Sequence, residues 1–214
     1  MKTILTLTVL FNAVFCCVSV DAYAHGWSPQ ASGTANVLRG VHFVDDNNGW
    51  AVSNNGEILH TTNGGIVWSM QTSGVSNVLS SVFFTGANDG YVVGNSGTVL
   101  RTTNGGTTWT NQSIGATFFN DVSLSDASNG FIVGDGGVAL KTTNGGASWT
   151  TLPALAGHLK AVSYINSSTA TIVGSGGVIY RTTNGGTSWT SQTSGTSNAL
   201  NGVSFLNVNN GFVF

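Results

Sequence analysis

Three of the five lysines and arginines beyond residue 24 recur at one place. Arg101, Lys141 and Arg181 each stand directly before the same five residues, Thr-Thr-Asn-Gly-Gly, and His60 stands there in the first copy. One cation per copy, held near one face, would make a basic arc suited to an acidic protein partner or an anionic cell-surface polymer. The plainer alternative is inheritance of a repeat consensus, with each cation solvated beside its turn. Hydrolysis of a glycan would need two carboxylates across a cleft. Glu57 is the sole glutamate, and Thr98, Val138 and Val178 fill its place in the other copies, so it reads as an exposed strand residue. Asp45, Asp46, Asp89, Asp121, Asp126 and Asp135 mostly fall in turn-like runs, where a carboxylate accepts bonds from nearby N–H groups. No catalytic residue is therefore expected, and the chain reads as a non-enzyme. His25, His42, His60 and His158 are scattered without metal-ligand spacing. Asp135-Gly136-Gly137 and Asp45-Asp46-Asn47 lack the pattern of a calcium loop and read as turns. No metal and no cofactor are expected. A formal net charge of −2, with 7% charged residues, leaves no electrostatic footprint for nucleic acid.

The elements that must position these groups announce themselves by repetition. Thr-Thr-Asn-Gly-Gly, two variable residues and Trp occur at residues 61–68, 102–109, 142–149 and 182–189, so the copies start 41, 40 and 40 residues apart. A fixed period near 40 marks a repeat architecture. Gly takes positive φ without steric cost, so Asn-Gly-Gly predicts a hairpin turn whose second strand starts near the Trp. The Thr hydroxyl and Asn amide are placed to satisfy turn N–H groups, with the indole as an apolar lid. Ahead of each copy lies Leu38-x-x-Val41-x-Phe43 or its equivalents Leu79/Val82/Phe84, Phe119/Val122/Leu124, Leu159/Val162/Tyr164 and Leu200/Val203/Phe205. The last two positions alternate as in a half-buried strand. A turn follows (Asp45-Asp46-Asn47-Asn48-Gly49 in the first copy), then a continuous apolar strand such as Tyr91-Val92-Val93, then a third strand. No segment carries a helical period. Four short antiparallel strands per 40 residues predict an all-β fold, a β-propeller of four-stranded blades. The units span residues 38–77, 79–117, 119–157 and 159–198, with a partial fifth at 200–214. A right-handed β-helix is the structural alternative, but its rungs are shorter than this period.

The turn resembles the Asp-box (BNR) signature, Ser/Thr-x-Asp-x-Gly-x-Thr-Trp. The marked positions are Thr61, Asn63, Gly65 and Trp68; Thr102, Asn104, Gly106 and Trp109; Thr142, Asn144, Gly146 and Trp149; Thr182, Asn184, Gly186 and Trp189. Asn stands for Asp in every copy, which removes a charge and keeps an acceptor. Together with the Asn/Asp-Gly-aromatic turn and Val-Gly, the repeat is similar to the photosystem II assembly/stability-factor-like family of propellers. That resemblance implies a non-catalytic module that binds other proteins, either as a general interaction scaffold or as a photosystem II assembly factor proper. In photosynthetic members an arginine-rich surface does the binding. Asp-boxes also occur in sialidases and xyloglucan-type glycosidases, which makes a glycan-binding or glycan-hydrolysing propeller the remaining alternative.

Residues 1–24 read as a secretory signal, with Lys2 before an apolar run and Ala22-Tyr23-Ala24 as a small-x-small cleavage site. The expectation is an exported monomer, without a transmembrane helix in the mature chain. Cys16 and Cys17 both lie in this segment, so export would leave neither disulfides nor thiolate sites. Trp27-Ser28-Pro29-Gln30 repeats the start of a fourth strand, as in Trp68-Ser69-Met70-Gln71, and is expected to complete the final blade. Because the last unit stops after its second strand, the sequence reads as a C-terminally truncated piece of a longer propeller.

Overall fold

The computed structural model describes residues 29–214. The expected leader, its cleavage near Ala24, and Trp27 lie outside the described residues. Four units each form an antiparallel four-stranded sheet. The first holds β1 (Leu38–Phe43), β2 (Gly49–Ser53), β3 (Ile58–Thr61) and β4 (Ser69–Gln71). The second holds β5 (Leu79–Phe84), β6 (Gly90–Gly94), β7 (Val99–Thr102) and β8 (Thr110–Asn111). The third holds β9 (Phe119–Leu124), β10 (Gly130–Gly134), β11 (Ala139–Thr142) and β12 (Thr150–Thr151). The fourth holds β13 (Leu159–Asn166), β14 (Thr169–Gly174), β15 (Ile179–Thr182) and β16 (Thr190–Gln192). A fifth sheet has only β17 (Val203–Phe205) and β18 (Gly211–Val213). This is an all-β, incomplete propeller, four blades and part of a fifth.

The core lies between units rather than inside them. In the first unit, cross-strand register puts Trp50, Val52 and Ile58 on one face and Val41, Ala51 and Leu59 on the other. The first face packs on Leu79, Val82, Phe84, Val92 and Leu100 of the second unit. Tyr91, Val93 and Val99 then pack on the third unit, and Phe131, Val133 and Ala139 on the fourth. The second strand of each complete unit is buried at every position, as its unbroken apolar run requires.

Two local expectations differ from what is found. The described part of the tail, residues 29–37, contains no strand. Pro29 has no N–H to give a ladder, and no described third strand lies beside it. The tail docks through side chains instead: Gln30 Nε2 donates to the Gly64 carbonyl (3.3 Å), and Thr34 and Asn36 donate to the Glu57 carboxylate. Glu57 is accordingly a half-buried anchor just before β3, not an exposed strand residue.

The first turn is held by an Asx device in every unit but the second. Asp45 Oδ1 accepts the Asn47 and Asn48 N–H groups, Asp126 Oδ1 those of Ser128 and Asn129, and Asn166 and Asn207 do the same in their units. These donors hold the Asp45 carboxyl below the usual carboxylate range, led by the Asn48 side chain. The second unit has Gly86 at this position, at ordinary φ and with open space where a Cβ would go. Gly86→Asn is expected to stabilise the chain by about 0.5–1 kcal/mol, read as a higher urea midpoint, because it restores the cap and restricts the unfolded chain.

Candidate functional site: an axial cleft and the seams around it

The four repeated turns close on themselves. Thr61 Oγ1 donates to Asn63 Oδ1 (3.0 Å) and accepts from the Gly65 N–H (2.9 Å), while Asn63 Oδ1 also accepts from Val67 N–H (2.9 Å). Thr102/Asn104/Gly106, Thr142/Asn144/Gly146 and Thr182/Asn184/Gly186 repeat these bonds. The amide adds a bond unavailable to a carboxylate, since Asn104, Asn144 and Asn184 Nδ2 donate to Thr108, Ser148 and Ser188 hydroxyls. The paired glycines carry the positive φ, 69° and 88° at Gly64 and Gly65. Three of the four Trp pack in a seam, Trp109 edge-on to Phe84, Trp149 to Tyr91 and Trp189 to Phe131, whereas Trp68 meets Phe43 of its own unit.

The once-per-unit cations also sit in seams, half-buried. Each of the first three units sends a donor to the next unit's Asn-Gly-Gly turn. Trp50 Nε1 donates to the Gly105 carbonyl (3.2 Å) and Tyr91 Oη to that of Gly145 (2.6 Å). The third unit has Phe131, without a donor, and there Lys141 Nζ reaches the Gly185 carbonyl (2.6 Å). Arg101 Nε donates to Tyr91 Oη (3.3 Å), Arg181 spans Thr171 and the Val208 carbonyl, and His60 stacks on Trp50. The four residues thus follow the seams one by one and do not converge on a common ligand. Lys141→Met is expected to lower stability by about 1 kcal/mol in urea denaturation, whereas Arg101→Met, which leaves the Tyr91 donor in place, should cost less.

The convergent residues are elsewhere. The first strands β1, β5, β9, β13 and β17 succeed one another in space and line one cleft of 370 Å³. In each complete unit the pairing of first and second strands skips the second residue of the first strand, Arg39, Ser80, Asn120 or Lys160. These are β-bulges, which re-aim a side chain and recur beside functional sites. All four skipped residues, with Asn201 of the fifth unit, border the cleft. Ser80 Oγ donates to the Phe119 carbonyl, and Asn120 Nδ2 to the Leu159 carbonyl (2.7 Å) and Asp135 Oδ1 (2.9 Å). Arg39 is exposed and makes no side-chain hydrogen bond among the described residues; Lys160 Nζ lies 3.7 Å from Asp135, which His158 Nδ1 approaches at 3.3 Å. Burial raises the Asp135 carboxyl, but Asn120, Lys160 and His158 together bring it below the usual value.

One register further in, Asp121 ties three units together. Its Oδ1 accepts from Ser81 Oγ (2.7 Å) and its own strand's Val122 N–H (2.9 Å), and its Oδ2 from the Val162 N–H (2.9 Å). Burial outweighs these donors and pushes the carboxyl up to about 6. Sequence reasoning grouped Asp121 with turn aspartates and passed over the bulge residues. The signal was present: Leu and Val stand three positions apart in Leu-x-x-Val, an odd spacing that breaks the strand period and that an inserted residue explains. Among the described residues no cluster of His, Cys, Asp and Glu would hold a metal ion, and no helix is long and apolar enough to cross a membrane.

Fold and repeat together define a propeller built from units of about 40 residues. The chain belongs to the family described as photosynthesis system II assembly factor YCF48, whose profile matches residues 68–211. Among solved structures it is similar to YCF48 bound to D1 peptide (15% identity, TM-score 0.52, 84% of this chain and 90% of that one). It is also similar to YCF48 from Cyanidioschyzon merolae (22%, 0.63, 79% and 60%). A GH74 enzyme from Niastella koreensis shares the fold at 18% identity and TM-score 0.65, over 79% of this chain and 33% of that one. The chain therefore spans most of the first relative, about three-fifths of the second and a third of the enzyme. A search of curated proteins found no match.

Proposed function

We propose that this chain is a non-catalytic, protein-binding propeller that receives an extended segment of a partner protein in its axial cleft. The observation that carries the reading is the bulge repeated in all four complete units, which gives one cleft a side chain from each. A cleft of 370 Å³ admits a few residues of an extended chain. Family membership supports an assembly role, in which the client is an incompletely assembled protein, and the similar YCF48 structure holds a D1 peptide. Four of the candidate carboxylates are engaged otherwise: Asp45 and Asp126 in turns, Glu57 on the tail, Asp121 between strands. Export after cleavage near Ala24 and a monomeric state complete the proposal.

The test is selection of linear peptides of about twelve residues from a random display library against the folded chain. Binders are expected, and Asn201→Trp, which crowds the cleft, should weaken them at least about tenfold. Thr107→Trp, on an exposed outer turn, should leave them unchanged. Failure to select binders, or binders indifferent to Asn201→Trp, would overturn the reading.

A further inference from the structure

The geometry points to a carboxylate as the group the axial cleft selects, an Asp or Glu side chain or a chain end, held between Arg39 and Lys160. The inference rests on the peptide-binding reading above and adds the chemistry of the segment bound. Ser80 and Asn120 occupy the same bulge position and turn their donors onto carbonyls of the next unit. Arg39 and Lys160 do not, so the guanidinium and ammonium are the charged donors that remain at the rim, beside the neutral Asn201 amide. A guanidinium presents five N–H groups in a fork that matches a carboxylate, and an ammonium adds a mobile point charge.

The other charged groups facing the cleft fit this assignment. Asp135 is already engaged by Asn120, His158 and Lys160, and at 3.7 Å it leaves the ammonium within reach of a second acceptor. Asp121 lies deeper, with three donors on its oxygens. Arg39, the most exposed of the set, is the anchor, and Lys160 answers it from three units away.

Composition of the selected peptides is the first readout. Peptides enriched in Asp, Glu or a free terminal acid are expected. Synthetic copies with Asp and Glu changed to Asn and Gln, or with an amidated terminus, separate the two sources of carboxylate by fluorescence anisotropy. The change that removes the recognised acid should weaken binding about tenfold, and the same change should have no effect on the Arg39→Gln/Lys160→Gln double variant. Lys141→Gln, in a seam, removes an equal charge and should leave affinity unaltered. Binders without acidic bias, or binders insensitive to the double variant, would overturn the carboxylate assignment while the peptide-binding reading stands. A selection that yields no binder overturns that reading itself.

Discussion

Replacing Trp50 by alanine is expected to destabilise the chain by about 3–5 kcal/mol in urea denaturation, the largest effect of any single truncation in the first seam. Trp50 is fully buried, stacks on Phe84 with ring centroids 3.5 Å apart, and donates across the seam to Gly105. Alanine removes the aromatic contact, leaves a cavity between two sheets and strips a half-buried carbonyl of its indole partner. Gln71 Nε2 still reaches the same carbonyl (2.8 Å), so the loss is chiefly one of packing. Trp50→Phe should therefore recover most of the stability. A cost for Trp50→Ala near that of an exposed substitution, below about 1 kcal/mol, would mean that the seam is not where the chain stores its cohesion.

The second large effect concerns pH. Asp121 titrates near 6 in the folded chain against an ordinary value of 3.8. The folded state thus binds this proton more tightly than the unfolded one. The stabilisation is complete below the unfolded value and is lost as pH rises through about 6. Asp121→Asn, which cannot ionise, lacks this dependence. The stability of the natural chain relative to Asp121→Asn should fall by on the order of 2–3 kcal/mol between about pH 4 and pH 7. Asp45, Asp126 and Asp135 are shifted the other way and act toward the acid side, but both proteins share them and the difference cancels. A flat difference across that range would show that the three donors, not burial, govern the group. Asp121→Ala should be worse than Asn at every pH, because the Ser81 hydroxyl and Val162 N–H lose their acceptor.

The repeating chemistry of Thr-Thr-Asn-Gly-Gly-x-x-Trp made the blades legible, because glycine at positive φ and a local Thr–Asn network are properties of the turn itself. The buried second strand was legible for a similar reason, its unbroken apolar run. What the sequence hid depends on neighbours a whole unit away. Lys141 looks solvated until the next unit's Gly185 carbonyl is brought to it, and Phe131 explains why a cation is needed there. Glu57 looks exposed until Thr34 and Asn36 fold onto it. Arg39 and Lys160 differ from Ser80 and Asn120 in type, so similarity along the chain did not group them; a shared bulge does.

Because the apolar contacts lie between sheets, each unit leans on the one before it, and cohesion is a chain of neighbour terms. Pulled by its two ends, such a molecule should give way stepwise rather than all at once, shedding a blade per event. With 40 or 41 residues from one turn to the next, each event would release roughly 130–145 Å of extended polypeptide. Evenly spaced steps of that length in a force–extension trace would be the mechanical signature of a core divided among its seams.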